Sequence, residues 1–468
     1  MLGYDFVVVG AGPNGLAAAA HLTRSGNRVL VVEQAEAIGG GTRTEQLTLP
    51  GFLHDVCSAI HPLGVASPFF QEIGLDVEWI HPDIAVSHPL GDGRASGIFR
   101  SIDETAARFG TDADRYRRVL APLVERADEV IDGLLGPLQV PPRNPVVMAR
   151  LAARGITSAT RFIRRFESDE ARAVLSGLAA HAIAPLGAPL TGGVALLFAI
   201  TAHAHGWPMV KGGSQHIADA LASVVIAGGG SIETGRRVEK LDDFGMNTPV
   251  LLDVAPRAAL EISGERATQS YRRRSAGWRS GPGVFKVDWA LRGPIPWTDE
   301  LSSRAGTVHL GGTFEEVTAL EDAVQAGRHP DRPFVLLSQQ SNFDSSRAPD
   351  GHHTAWGYCH VPARSGRDMT DAIENQVERF APGFRDLILA RHTMDTAAFE
   401  SHNPNYVGGD IAGGEFGIRK IAQLGATRPY KIGNGVYLCS SSTPPGGGVH
   451  GMCGYYAAEA AMKEKSSL

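Results

Sequence analysis

Tyr4-Asp5-Phe6-Val7-Val8-Val9-Gly10-Ala11-Gly12-Pro13-Asn14-Gly15 decides the fold of this chain. A short β-branched and aromatic run, reading as a strand, enters a GxGxxG turn and then the alanine-rich residues 16–24, whose composition predicts a helix stopped at Gly26. Arg28-Val29-Leu30-Val31-Val32-Glu33 follows as a second strand ending in an acid. Strand, glycine turn, helix, strand and acid together form a dinucleotide-binding unit. Gly10 permits the tight turn, Gly12 lets backbone approach a pyrophosphate with Pro13 opening the helix, and Gly15 allows helix to lie close on strand. The helix N-terminus offers free N–H groups to the anion. Glu33 can accept hydrogen bonds from a ribose 2′-OH, and its charge repels a 2′-phosphate.

A second glycine-rich turn, Gly39-Gly40-Gly41-Thr42-Arg43-Thr44, begins six residues after Glu33, too close to open another nucleotide domain. It would add backbone donors beside the same pyrophosphate, as an extended FAD requires. Near the other end, Val436-Tyr437-Leu438-Cys439 reads as a buried strand. Ser440-Ser441-Ser442-Thr443-Pro444-Pro445-Gly446-Gly447-Gly448-Val449-His450-Gly451 then leads into a helical stretch starting at Met452. No charged residue occurs from 432 to 458, so this loop offers N–H groups in an uncharged setting suited to the N1/C2=O edge of a flavin. Between these ends, residues 206–214, a helical stretch 215–227 and short strands around 231–234 and 237–241 return to the same domain, with Val238 placed to offer backbone to an adenine. One more apolar strand lies at 250–254. We therefore expect an α/β fold: a Rossmann-type FAD-binding domain from residues 1–95, 205–265 and 421–468, interleaved with an α+β substrate domain from 96–204 and 266–420.

Composition agrees with a large globular chain. The 468 residues include 43% hydrophobic and 20% charged, enough to bury sizeable cores and to exclude a mainly disordered or coiled-coil protein. The 56 glycines exceed the usual roughly 7% without any collagen-like period, so they serve particular turns. A net charge of −6 argues against nucleic acid as a partner. Four scattered cysteines without a CxxC pair fit a reducing compartment. With only a four-residue apolar run before Gly10, a secretory signal is not expected, and the reading is of a cytoplasmic protein. Residues 173–210 hold no Asp, Glu, Lys or Arg, but prolines and glycines interrupt them and His181, His203 and His205 lie within. That predicts a buried or cavity-lining segment rather than a membrane span, with peripheral membrane contact in between.

These segments resemble the FAD-dependent oxidoreductases related to phytoene desaturase. The resemblance covers nearly the whole chain and includes Pro50-Gly51-Phe52-Leu53-His54-Asp55, residues 283–291 and Asn403-Pro404-Asn405-Tyr406-Val407-Gly408-Gly409-Asp410. It departs from the flavin amine oxidase pattern in having Gly41 where an arginine would follow the paired glycines, so that Arg43 or backbone must serve the pyrophosphate. Ser440–Thr443 replaces a Gly-acid pair before the last helix. The resemblance implies a non-covalently held FAD, contacted through Gly10, Gly12, Pro13, Gly15, Glu33, Gly40, Gly41, Thr42, Arg43, Val238, Ser442, Gly448, Val449 and Met452. It also implies hydride movement between an apolar substrate and flavin N5. A redox-neutral isomerase and a non-catalytic FAD-stabilised scaffold are the alternatives. Dioxygen, a quinone and NAD(P) are all open as electron acceptors.

Hydride transfer needs placement more than an acid–base pair. His450, in the C-terminal glycine loop, and His61, after the apolar turn 56–60, are the candidate proton-transfer residues, each also readable as a packing histidine. His203 and His205 lack a carboxylate or thiol companion for a metal. Tyr271-Arg272-Arg273-Arg274 can touch anionic lipid heads, with a solvated charged face as the default reading.

Overall fold

The computed structural model describes residues 3–137, 139, 141–245, 247–417, 419–420 and 428–466. Its first sheet has six strands in the order 431–433, 436–438, 250–252, 6–9, 29–32, 231–233. The central strand Phe6–Val9 runs parallel to Val29–Val32, with Phe6 opposite Val29 and Val9 opposite Val32, and parallel to Val250–Leu252, with Val7 opposite Val250. Only the edge strand Lys431–Gly433 is antiparallel. All four residues of Phe6–Val9 and of Val29–Val32 are buried, as a parallel sheet covered on both faces demands. On one face lie the helices Pro13–Arg24, Gln215–Ala227 and Met452–Lys465. On the other, Val7, Val9, Leu30 and Val32 pack with Phe244, Ala259 and Tyr271. The first sheet and its covering helices are thus assembled from distant segments. The expected strand at 237–241 is irregular chain; only Ser231–Glu233 joins the sheet.

The second sheet has seven strands in the order 388–394, 283–291, 353–361, 335–338, 305–310, 84–89, 95–99. All pairings are antiparallel except Ala305–Leu310 against Ile84–Pro89. The hairpin Ile84–Pro89/Ala95–Phe99 corrects the expected boundary at 96: the substrate domain starts some residues earlier, because this hairpin finds its partner strand there and not in the nucleotide sheet. The other boundary, at 421, falls outside the described residues. One face of this sheet packs through Val86, Ile98, Phe334 and Leu336 against the helical layer, and the opposite face packs through Trp289, Val335 and Leu337 against the helix Thr370–Phe380.

The amphipathic stretch 114–134 forms two helices, Ala113–Val124 and Ala127–Leu134, broken at Arg126, whose φ of −123° and ψ of 36° leave the helical region. The uncharged stretch runs from within helix Asp169–Ala180 through a turn to helix Thr191–Ala204. Among the described residues no helix is long and apolar enough to cross a membrane.

Candidate functional site

One cavity of about 840 Å³ runs between the two sheets, toward the upper end of the roughly 300–1,000 Å³ usual for ligand sites. At one end the strand Phe6–Val9 stops at Gly10, whose φ of +102° is open to glycine at little cost. The chain turns through Gly12 into the helix Pro13–Arg24 with proline at its first turn, where a missing N–H costs nothing. Gly15 does not border the cavity. A Cβ there would stand 2.1 Å from the Gly10 carbonyl oxygen, so its task is the close approach of helix to turn.

The second glycine turn is tied to the first: Gly39 N–H donates to the Ala11 carbonyl at 2.8 Å. Gly40, Gly41 and Arg43 border the cavity, whereas Thr42 is fully buried and its hydroxyl donates to the Gly39 carbonyl. Glu33 borders the cavity with its two carboxylate oxygens accepting from Ala11 N–H at 2.7 Å and Ala35 N–H at 2.9 Å, each with a lone pair to spare. Arg43 donates from Nη2 to the Ala37 carbonyl and lies 3.8 Å from Glu33, while its buried Nε has no partner. The buried Asn14 Oδ1 is also unpartnered, and Asn14 borders the same space. Val238 is buried and borders the cavity near Glu33.

Asp253, at the end of strand Val250–Leu252, was not anticipated. Its Oδ2 accepts from Gly15 N–H at 2.9 Å beneath the first glycine turn. Burial, with the Glu33 charge added, pushes its carboxyl up to about 7. Asn405 holds this corner: its side chain donates to the Asp253 carbonyl and accepts from Ala255 N–H. Next to it, Tyr406 packs its hydroxyl against Gly41. The Asn-Pro-Asn-Tyr run was readable as a motif; its task was not, because it acts on strands 150 residues away.

At the other end, Gly448 and Val449 border the cavity, followed by Gly451 in a left-handed conformation and the helix Met452–Lys465. Ser442 and Met452 are buried away from the cavity, and Ser441 borders it instead. His450 is corrected likewise. It is fully buried behind Gly448, off the cavity surface, and its Nδ1 accepts from Met452 N–H at 3.0 Å, capping the helix start. Burial lowers its pKa to about 4.

His61 does border the cavity. Its Nε2 pairs with Ser214 Oγ at 2.8 Å, its Nδ1 has no partner, and burial lowers its pKa to about 4, so it is neutral at pH 7. Asp55 supports this pair by accepting from Ser214 N–H, Thr44 Oγ1 and Arg347. Arg347 is fully buried between Asp55 and Asp344, at 3.0 Å from each.

The far half of the cavity is apolar. Ile183, Val194, Leu197 and Phe198 come from the uncharged stretch, and Leu336, Trp356 and Tyr358 from the second sheet. Trp207 is fixed by a 2.9 Å bond from its indole N–H to Thr307 Oγ1. Under Trp356 lies a buried Lys286, paired with Asp288 and 5.9 Å from the Trp356 ring. Sequence reasoning overlooked this pair, although Lys and Asp two apart in an apolar strand must share a face. His203 instead bonds Tyr116 Oη at 2.7 Å and His205 faces Asp128, so neither serves the cavity. Arg272 and Arg274 donate to the carbonyls of Gly264 and Lys431, and Tyr271 is buried.

The fold is that of the FAD-dependent oxidoreductases: a Rossmann-type dinucleotide domain interleaved with an α+β domain, with one cavity spanning both. Residues 8–73 match the NAD(P)-binding Rossmann-like domain family. The chain is related to pyridine nucleotide-disulfide oxidoreductase domain-containing protein 2 of Rattus norvegicus, 26% identical over 99% of this chain and 94% of the relative. It is likewise related to phytoene dehydrogenase of Streptomyces griseus, 26% identical over 95% and 92%. Among solved structures, an oxidoreductase from Methanosarcina mazei superposes with a TM-score of 0.66 at 18% identity, covering 98% of this chain and 99% of that one.

Proposed function

We propose that this protein is an FAD-dependent oxidoreductase moving a hydride between a hydrophobic small molecule and the flavin. The observation that carries this reading is the two-part cavity: glycine backbone at Gly10–Gly12, Gly40–Gly41 and Gly446–Gly448, continuous with a wall of Ile183, Leu197, Phe198, Trp207 and Trp356. The residues present fit the group. The unpartnered Arg43 Nε can donate to an anionic oxygen of the group, the unpartnered Asn14 Oδ1 can accept from a hydroxyl or N–H, and Glu33 keeps lone pairs for a ribose. When bound, FAD supplies a hydride acceptor at N5.

The chain's own residues do the rest. The helix starting at Pro13 would turn its positive N-terminal end to the pyrophosphate, and the loop Gly446–Val449 before the helix Met452–Lys465 would face the flavin end. Trp207, pinned by Thr307, and Phe198 orient an apolar substrate and exclude water. His61, neutral and unpaired at Nδ1, accepts a proton there, with Ser214 fixing the ring. His450 acts as a positioning residue for the last helix and Gly448. The buried Lys286 ammonium adds positive charge beneath Trp356. Desaturase, dehydrogenase and oxidase chemistry share this arrangement, and dioxygen, a quinone or NAD(P) would close the cycle. Anaerobic bleaching of the flavin band during a screen of carotenoids, other terpenoids and amines tests the reading; protein expressed with ample riboflavin that stays colourless would refute it.

A further inference from the structure

Residues 133–166 contain no Asp or Glu but six arginines, 143, 150, 154, 161, 164 and 165, in a chain whose net charge is −6. Five of the six are exposed and Arg154 is half-buried. Among the described residues none of the six pairs with a carboxylate: Arg154 donates to the Arg150 carbonyl, and the Arg165 carbonyl accepts from Arg115, whose own acids are Asp112 and Glu167. Elsewhere Arg94, Arg117, Arg172, Arg236 and Arg304 sit on carboxylates, while exposed Arg24, Arg118 and Arg273 have no carboxylate partner among the described residues; what sets 133–166 apart is six arginines with no acid among them.

The same segment carries apolar exposure. The helix Pro145–Gly155 buries Val147 and Leu151 inward. Its outward side presents Val146, 57% exposed, then Ala149, Arg150 and Ala153, and the helix ends at Ile156, 60% exposed. A water-facing helix side would be polar. One that is apolar and studded with arginine suits the boundary between lipid headgroups and acyl chains, where arginine stems lie along apolar surface and their heads reach phosphate.

This surface shares a wall with the cavity. The Ile156 carbonyl accepts from Leu190 N–H at 3.2 Å, and Leu190 borders the cavity with a φ of +71°. Gly155 lies so close to helix Thr191–Ala204 that a Cβ would be 3.1 Å from Gly193 Cα, and Val194, Leu197 and Phe198 of that helix line the cavity. Exposed, uncharged residues 187 and 189 continue the patch.

We propose that the helix Pro145–Gly155, Ile156 and the following helix Ala159–Ile163 form a docking surface for an anionic lipid bilayer, placing the apolar end of the cavity against the membrane. The surface stands on charge and exposure alone, whatever reaction the cavity supports. It also gives an apolar substrate a direct route from lipid to the wall at Leu190.

Sedimentation of the full-length protein with vesicles of phosphatidylcholine, with and without phosphatidylglycerol, tests this. Binding to the anionic vesicles and little to the neutral ones is expected. R150E/R161E/R164E lowers it by at least about tenfold, and V146S/I156S lowers it by at least about threefold. R272E/R273E, on the other basic run, leaves it unchanged. All three variants keep the flavin content and melting temperature of the parent, since the changed side chains are exposed or half-buried. No sedimentation with anionic vesicles, or undiminished binding by the triple variant, overturns the proposal. Retention on heparin without vesicle binding overturns it too, assigning the arginines to a soluble polyanion. A protein that binds vesicles but stays colourless after expression with ample riboflavin would leave the docking surface standing and refute the oxidoreductase reading instead.

Discussion

Replacing Asp253 with Asn changes one proton at the floor of the first glycine turn. Asp253 is 7% exposed, and among the described residues its carboxyl accepts one hydrogen bond, from Gly15 N–H. Its carboxyl therefore titrates at about 7 in the folded protein, against 3.8 for the free group. Between those values the folded state holds a proton that the unfolded chain has released. Stability falls as pH rises through this window and is level above it. At about 1.4 kcal/mol per pH unit the loss sums to roughly 4 kcal/mol. Asn keeps the shape and the oxygen that accepts from Gly15 but cannot ionise. Urea unfolding of flavin-free protein across pH 4 to about 8 should show D253N gaining on the parent by roughly 4 kcal/mol over that range. A carboxylate beneath the glycine turn also repels a pyrophosphate, so D253N should hold FAD more tightly than the parent at high pH. Parallel stability curves would refute the assignment of a buried, proton-bearing Asp253.

Gly15→Ala drives a methyl to 2.1 Å from the Gly10 carbonyl, which costs about 1–3 kcal/mol in overpacking and distorts the turn; purified G15A should carry little flavin by absorbance. Arg347→Ala strands Asp55 and Asp344 without their buried cation, and urea unfolding should show a loss of about 3–5 kcal/mol. His61→Ala should slow anaerobic flavin reduction by a true substrate about a hundredfold or more, while S214A acts more mildly through ring orientation. With a histidine that titrates near 4, the parent's reduction rate should hold at neutral pH and fall as pH drops through that value. An unchanged rate and pH profile in H61A would remove its proton-transfer role.

The sequence disclosed what is local. Gly10, Gly12, Glu33 and the loop 446–449 announced themselves because a nucleotide turn must be written in consecutive residues, and all border the cavity. Residues whose work depends on distant partners were hidden. Asp253 looked like the end of an ordinary strand until Gly15 proved to lie above it. Arg347 gave no signal, as its acids are Asp344 nearby and Asp55 almost three hundred positions away. His450 misled because the loop faces the cavity while its individual side chains alternate: Val449 turns to the space and His450 turns behind it. The expected boundary at 96 cut through the hairpin 84–99 for a related reason. The hairpin's strand character is local, but its partner Ala305–Leu310 lies more than 200 residues on.

The order of strands in the first sheet carries a consequence for biosynthesis. Phe6–Val9, made first, is flanked by Val250–Leu252, which in turn is flanked by Val436–Leu438, and the helix that covers it, Pro13–Arg24, packs on Met452–Lys465 near the end of the chain. At about 5–20 residues per second, the nascent nucleotide turn waits on the order of a minute with Val7, Val9 and Phe6 lacking their permanent cover. A release after residue 430 would yield a chain missing two strands of its first sheet and the helix that closes it.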